Sequence, residues 1–241
     1  MQQALADPNL NVLGVHAHIG SQIFDVTGFQ MAAAKLVDLV HEWDFEPQVI
    51  NAGGGFGIRY TADDEPLPAA TFVEAIIDTI AEKTAAYGMQ MPAVWIEPGR
   101  SIVGPAGYSL YTIGSRKDVP GIRSYLAVDG GMGDNIRPAL YQAKYEAVLA
   151  AQPDAPSDEV VRVAGKYCES GDVLVWEQAL PKTKPGDVLA VLATGAYGYS
   201  MASNYNRNGR PAVVFVENGQ AKVVVERETL ADLVRLDRHY L

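Results

Sequence analysis

Several short stretches hold residue types that could do chemistry. Asn51-Ala52-Gly53-Gly54-Gly55-Phe56-Gly57 follows the apolar run Gln48-Val49-Ile50. Consecutive glycines expose backbone N–H groups with no Cβ to keep a ligand away, and such groups in a turn or at a helix start cradle an anion, most often phosphate. The same run also reads as a mobile turn. His18, beside Gly20 and Ser21, offers a flat ring to stack on an aromatic cofactor, and Ser21 a hydroxyl to donate to phosphate; the histidine equally suits an ordinary loop. His16 points the same way along its strand, as support for a site or as core. Glu97-Pro98-Gly99-Arg100 sets a carboxylate beside a guanidinium. A pyridine nitrogen that must stay protonated calls for the first, and a phosphate or substrate carboxylate for the second. The two would otherwise pair with each other.

The second half carries three more. Asp129-Gly130-Gly131-Met132-Gly133-Asp134 leads to Arg137, with Tyr141 four residues on. On a helix these two share a face and could clamp a carboxylate; the alternative is a surface arginine with a packed tyrosine. Tyr167-Cys168-Glu169-Ser170-Gly171-Asp172 sets a thiol beside a carboxylate in a loop before a strand. A buried packing cysteine is the commoner use, and with no metal-ligand spacing no zinc site is expected. Gly195-Ala196-Tyr197-Gly198-Tyr199-Ser200 and Ser203-Asn204-Tyr205-Asn206 read as a pocket lining or as a tight corner between strands.

The elements that must position these residues are legible. Asn11–Val15, Gln48–Ile50 and Ala93–Ile96 read as short buried strands. Helical spacing appears at Phe29, Ala33, Leu36, Val37 and Val40, and again over about 69–87, with Phe72, Val73, Ile76, Ile77 and Ile80 inward and Gly88 as the stop. Short apolar strands separated by helices imply parallel βα units, and the polar turns fall at the strands' carboxyl ends, where such folds place their sites. After Gly107 the rhythm changes to short strand candidates at 109–113, 124–128, 160–164, 173–176, 188–193, 213–216 and 222–226. Asn218-Gly219 is a hairpin signal. This predicts a mostly antiparallel β domain with a helical insert over 138–149 and a short helix near 230–236. The expected division is therefore 1–105 and 106–241. Three βα units cannot close a barrel, which needs eight strands and roughly 250 residues, and residues 2–5 read as a helix tail without an N-cap. Either the sheet is small and open, or the chain is the C-terminal part of something longer, and the missing helix start favours the second.

Composition excludes several classes. The 241 residues are 48% hydrophobic and 20% charged, as in ordinary globular proteins. A net charge of −10 argues against nucleic acid as a partner, so an anionic ligand must be held by local groups. No apolar run is long enough to span a membrane, and the first residues are not a secretory signal. Cys168 is the one cysteine, which fits a reducing cytoplasm.

Taken in order, G-V-H-A-H-I-G-S-Q at 14–22, N-A-G-G-G-F-G-I at 51–58, E-P-G-R-S-I-V at 97–103, D-G-G-M-G-D-N-I-R-P-A-L-Y at 129–141, C-E-S-G-D at 168–172, and G-A-Y-G with S-N-Y-N at 195–206 resemble the fold type III pyridoxal-phosphate decarboxylases. The C-E-S-G-D and R-P-A-L-Y stretches look more like the diaminopimelate branch than the ornithine-type branch. The resemblance implies the last three βα units of a (β/α)8 barrel followed by an antiparallel β-barrel or sandwich domain. It implies that His18 stacks on pyridoxal 5'-phosphate, that Ser21, Gly53, Gly54, Gly55 and the Pro98-Gly99-Arg100 turn hold the phosphate, and that Glu97 pairs with the pyridine nitrogen. Arg100, Arg137, Tyr141, Glu169 and Tyr197 would grip an amino-acid substrate, with Tyr197 also touching the cofactor. Cys168 would be the proton donor after carbon dioxide leaves. Cys168 and Glu169 would serve a partner subunit, making the active unit a homodimer. The implied reaction turns meso-2,6-diaminopimelate into L-lysine, the last step of lysine biosynthesis. One departure is large: the family's cofactor-anchoring lysine motif is absent, and none of Lys35, Lys83, Lys117, Lys144, Lys166, Lys182, Lys184 or Lys222 stands at a matching position. Lys144-Tyr145 also replaces the family's aromatic–histidine pair. Decarboxylation of ornithine, arginine or carboxynorspermidine, or a non-catalytic binder lacking the lysine, are the alternatives.

Overall fold

Residues 1–238 are described by the computed structural model, which divides the chain into two units, Met1–Val103 and Gly104–Leu241.

In the first unit, α1 (Gln2–Ala6) precedes three strands, β1 (Gly14–His16), β2 (Val49–Asn51) and β3 (Ala93–Trp95). They form a parallel sheet in that order, with His16, Asn51 and Trp95 in register. The crossovers are α2 (Thr27–Glu42) and α3 (Ala69–Tyr87). Their apolar stripes meet the sheet in a core of Phe29, Ala33, Val37, Ile50, Phe56, Phe72, Ile76 and Ile80. Phe56 and Phe72 stack with centroids 4.8 Å apart, and Phe29 meets both edge-on at 5.2 and 5.4 Å. Gly88, in the left-handed region at φ 66°, stops α3 at the predicted residue. Ile77, expected inward, is 39% exposed, because it lies off the Phe72–Ile76–Ile80 stripe. A one-turn helix that the periodicity does not show, α4 (Gly99–Val103), follows β3 directly.

The second unit is built on a six-stranded sheet. Its strands are β4 (Ser109–Val119), β5 (Arg123–Val128), β6 (Ala147–Leu149), β7 (Glu159–Ala164), β8 (Val173–Leu180) and β9 (Val188–Val191), in the order β6-β9-β4-β5-β7-β8. The long β4 pairs with β9 through its first residues and with β5 beyond a register shift next to Gly114. The sheet is mixed, because β5 and β7 run parallel. Beside it stands a hairpin, β10 (Val213–Glu217) and β11 (Gln220–Val225). Asn218 and Gly219 take φ of 50° and 75°, the doubly positive turn that Asn-Gly favours. A final short helix, α6 (Leu230–Val234), carries a capping box between Thr229 and Asp232.

The helical insert expected over 138–149 is corrected. Only α5 (Arg137–Tyr141) is helical; Gln142 adopts the left-handed conformation and ends it, and residues 147–149 form β6. Apolar residues in so short a segment fit a helix face and a strand equally well, and pairing with β9 decides.

Candidate active site

Parallel strands end together, so the turns after β1, β2 and β3 are neighbours. Ala17 N–H donates to the Asn51 carbonyl, Ala52 N–H to Trp95, and Glu97 N–H to Gly53 at 2.7 Å. The glycines are what allow this. A Cβ on Gly53 would lie 2.5 Å from the Ala17 carbonyl oxygen, one on Gly54 1.9 Å from that of Glu97, and one on Gly55 2.2 Å from that of Gly20. Gly53 and Gly55 also hold positive φ, 70° and 114°. Two of the three amides are already committed inside the protein: Gly53 N–H donates to Asn51 Oδ1 at 2.9 Å and Gly54 N–H to His18 Nδ1 at 3.2 Å.

These bonds orient the polar side chains. With Nδ1 accepting from Gly54, the exposed His18 ring is fixed in tautomer and tilt. Glu97 is exposed at the end of β3; its Oε1 accepts from Asn51 Nδ2 at 2.8 Å and its Oε2 lies 3.5 Å from His16 Nε2. His16 is therefore a half-exposed neighbour of the carboxylate and not a core residue, because the end of β1 is uncovered there. Arg100 does not pair with Glu97. Its buried guanidinium donates to Ser21 Oγ, at 2.8 Å from Nη2 and 3.2 Å from Nε, and to the Tyr60 hydroxyl. Ser21 Oγ accepts both bonds, so its own proton remains for a ligand. Gln22 bonds Ile58 through both ends of its side-chain amide, at 2.9 Å each, and ties the Ser21 loop to the chain beyond the glycines.

In the second unit the Gly130–Asp134 turn is the centre. Asp134 accepts from Gly131 N–H at 2.9 Å. Asp172 takes Met132 N–H on Oδ1 at 2.6 Å and Tyr167 N–H on Oδ2 at 2.8 Å. Burial pushes the pKa of both carboxylates up, against the pull of these N–H bonds and of Lys166. Burial and the two nearby acids likewise push the Tyr167 phenol up to about 12. Cys168 is exposed. Glu169 accepts from the Tyr205 hydroxyl, which raises the tyrosine's pKa. Arg137 is buried and donates to the Tyr145 hydroxyl, whereas Tyr141 is 60% exposed. The burial is thus the reverse of a surface arginine with a packed tyrosine: the arginine is inside and Tyr141 faces outward. Tyr197 is 44% exposed.

Residues 1–104 match the family model described as pyridoxal-dependent decarboxylase, pyridoxal binding domain. Over nearly its whole length the chain is similar to diaminopimelate decarboxylases: 59% identical to that of Bacillus subtilis over 98% of this chain and 55% of the relative, and 61% identical to that of Bacillus methanolicus over 95% and 54%. Among solved structures, diaminopimelate decarboxylase from M. jannaschii in complex with L-lysine superposes with a TM-score of 0.91 at 39% identity, covering 99% of this chain and 54% of that one. The chain thus spans about half the length of the decarboxylases it matches.

The motif residues are the ones the resemblance singles out, but the roles of four of their partners escape a sequence reading. Tyr60, Tyr145, Asp172 and Gln22 each act on a residue brought close by folding. Gln22 and Asp172 lie inside the motifs and Tyr145 at the Lys144-Tyr145 departure, but their spacing does not show what they bond; Tyr60, two residues beyond the glycine-rich motif, lies outside all of them.

Proposed function

We propose that this chain contributes the cofactor-holding and substrate-holding residues of a pyridoxal-phosphate-dependent decarboxylase that converts meso-2,6-diaminopimelate to L-lysine. The observation that carries the reading is the identity of 59–61% to diaminopimelate decarboxylases over 95–98% of this chain. The three βα units of the first unit are read as part of a (β/α)8 barrel and the second unit as the β domain that follows it.

The residues suit the cofactor. A hydroxyl whose proton is not used by Arg100 (Ser21), the Pro98-Gly99-Arg100 turn at the start of α4, and a narrow glycine turn suit a phosphate, although the Gly99 N–H itself donates to the Glu97 carbonyl at 2.9 Å. Gly53 and Gly54 serve it by shaping the turn, since their amides bond Asn51 and His18. Glu97, held by Asn51, would keep a pyridine nitrogen protonated, and the fixed His18 ring offers a stacking face. Bound there, pyridoxal phosphate supplies an electron sink for the pair left when carbon dioxide departs. Arg100, Arg137, Tyr141, Glu169 and Tyr197 would bind and orient the amino acid. Cys168 would hand its thiol proton to the carbon that lost carbon dioxide, so that one proton replaces one carboxylate. We read Cys168 and Glu169 as serving a partner subunit in a homodimer, in the cytoplasm, where a lone thiol stays reduced. The anchoring lysine, which none of the eight lysines matches, is assigned to the remainder of the complete enzyme.

The test is a substrate panel on the assembled, cofactor-loaded enzyme. Meso-diaminopimelate should exceed ornithine, arginine and carboxynorspermidine in kcat/KM by at least about a hundredfold, the discrimination expected when polar groups of a site are left unpaired by the wrong ligand. Preference for any of the other three would overturn the substrate assignment.

A further inference from the structure

We infer that Asp172 is a positioning residue, whose carboxylate holds the Cys168–Glu169 loop in its working shape; this rests on the decarboxylase reading above. Asp172 is 3% exposed, four residues beyond Cys168, and both of its oxygens are spent on backbone. Oδ2 accepts from Tyr167 N–H, the residue before the thiol, and Oδ1 from Met132 N–H in the glycine turn. Its own backbone closes the loop as well: Asp172 N–H donates to the Glu169 carbonyl at 3.0 Å, and Gly165 N–H to the Asp172 carbonyl at 2.9 Å.

The surroundings are cut to fit this carboxylate. A Cβ on Gly131 would come within 2.6 Å of Oδ1 and one on Gly165 within 2.2 Å of Oδ2. Tyr167 closes the other side, its hydroxyl lying where a Cβ on Gly133 would be, 2.0 Å away. The Tyr205 ring, 5.6 Å from that of Tyr167, carries the hydroxyl that holds Glu169. Burying a carboxylate costs solvation, and burial raises the Asp172 pKa. The return is a two-pronged tether between the loop and the turn. A loop that serves a neighbouring subunit must take its shape from its own chain, and Asp172 supplies the bonds that do so.

Asp172→Asn keeps size and shape but must present an NH2 group to one of the two amide donors. In the assembled, cofactor-loaded enzyme this substitution should lower kcat by roughly tenfold to a hundredfold, the range expected for a displaced reacting group. The Cys168→Ala/Asp172→Asn double variant should be no slower than Cys168→Ala alone, since a residue acting through Cys168 has nothing left to position. Gly165→Ala, which displaces the carboxylate and keeps its charge, should reproduce the loss. Independently of activity, amide exchange at Tyr167 and Met132 should quicken at least about tenfold in Asp172→Asn, with the parallel sheet unchanged. Additive losses in the cycle, or unquickened exchange at the two amides, would overturn the role given to Asp172 while leaving the decarboxylase reading intact. A wild-type enzyme without turnover would overturn both.

Discussion

Tyr60 and Tyr145 do the same job in different units. Each sets a buried hydroxyl against a buried guanidinium, Arg100 in one case and Arg137 in the other. A guanidinium in a low-dielectric setting must have its donors met in a fixed geometry. Replacing Tyr60 with Phe keeps the ring and removes the acceptor, so a charged donor loses a bond. The expected cost is about 1–3 kcal/mol of unfolding free energy, read from denaturant midpoints at constant slope; a change within experimental error would mean the hydroxyl is dispensable. At this scale the sequence points to the chemistry-bearing residues and hides their supports. Glu97-Pro98-Gly99-Arg100 reads as a possible ion pair, yet the arginine turns to Ser21 and Tyr60, residues 79 and 40 positions away. Spacing along the chain holds no trace of such contacts.

The elements of the first unit follow from local pattern more faithfully. The apolar stripe of α3 is buried at Phe72, Ile76 and Ile80, and Gly88 ends the helix where a residue of positive φ is needed. Phe72 joins both helices to the loop after β2 through its contacts with Phe29 and Phe56. Phe72→Ala should cost about 3–5 kcal/mol in chemical denaturation, and a loss below 1 kcal/mol, set against that expectation, would show that the site collapses to fill the void. Across the outer side of the same helices, Asp38 of α2 accepts from Tyr87 of α3 at 2.7 Å and pairs with Lys83 at 2.5 Å. Lys83 and Tyr87 hold its carboxyl below the usual 3.8. A lowered acid pKa means that the contribution is present above pH 3.8 and is lost as pH falls through the lowered value. Thermal midpoints measured from pH 6 down to pH 2 should therefore fall less steeply in Asp38→Asn than in wild type, and parallel curves would contradict the linkage. Where local pattern is ambiguous, pairing decides: residues 147–149 form β6 because β9 is there to receive them.

At the scale of the molecule, the change of rhythm after Gly107 separates a βα half from a β half, and the structure parts into two units after Val103. The parallel run of β5 beside β7 was not legible, because strand direction is set by how the connection between them travels and not by either strand's own residues. Nor could glycines in sequence say which surface they serve. Gly53, Gly54 and Gly55 let the turns after β1, β2 and β3 approach within contact of one another's carbonyls, and two of their three amides are spent on Asn51 and His18. The assignment of the whole enzyme rests on one conversion, and one measurement reaches it directly. The assembled, cofactor-loaded enzyme is given meso-2,6-diaminopimelate in D2O, and lysine, carbon dioxide and deuterium are counted together. The expected result is one lysine per carbon dioxide, with one solvent deuterium on the carbon that lost its carboxylate, and a rate at least about a hundredfold lower in Cys168→Ala, at the low end of what a positioned acid contributes. No lysine from a cofactor-loaded enzyme would contradict the reaction, and an undiminished rate in Cys168→Ala would contradict the role given to the thiol.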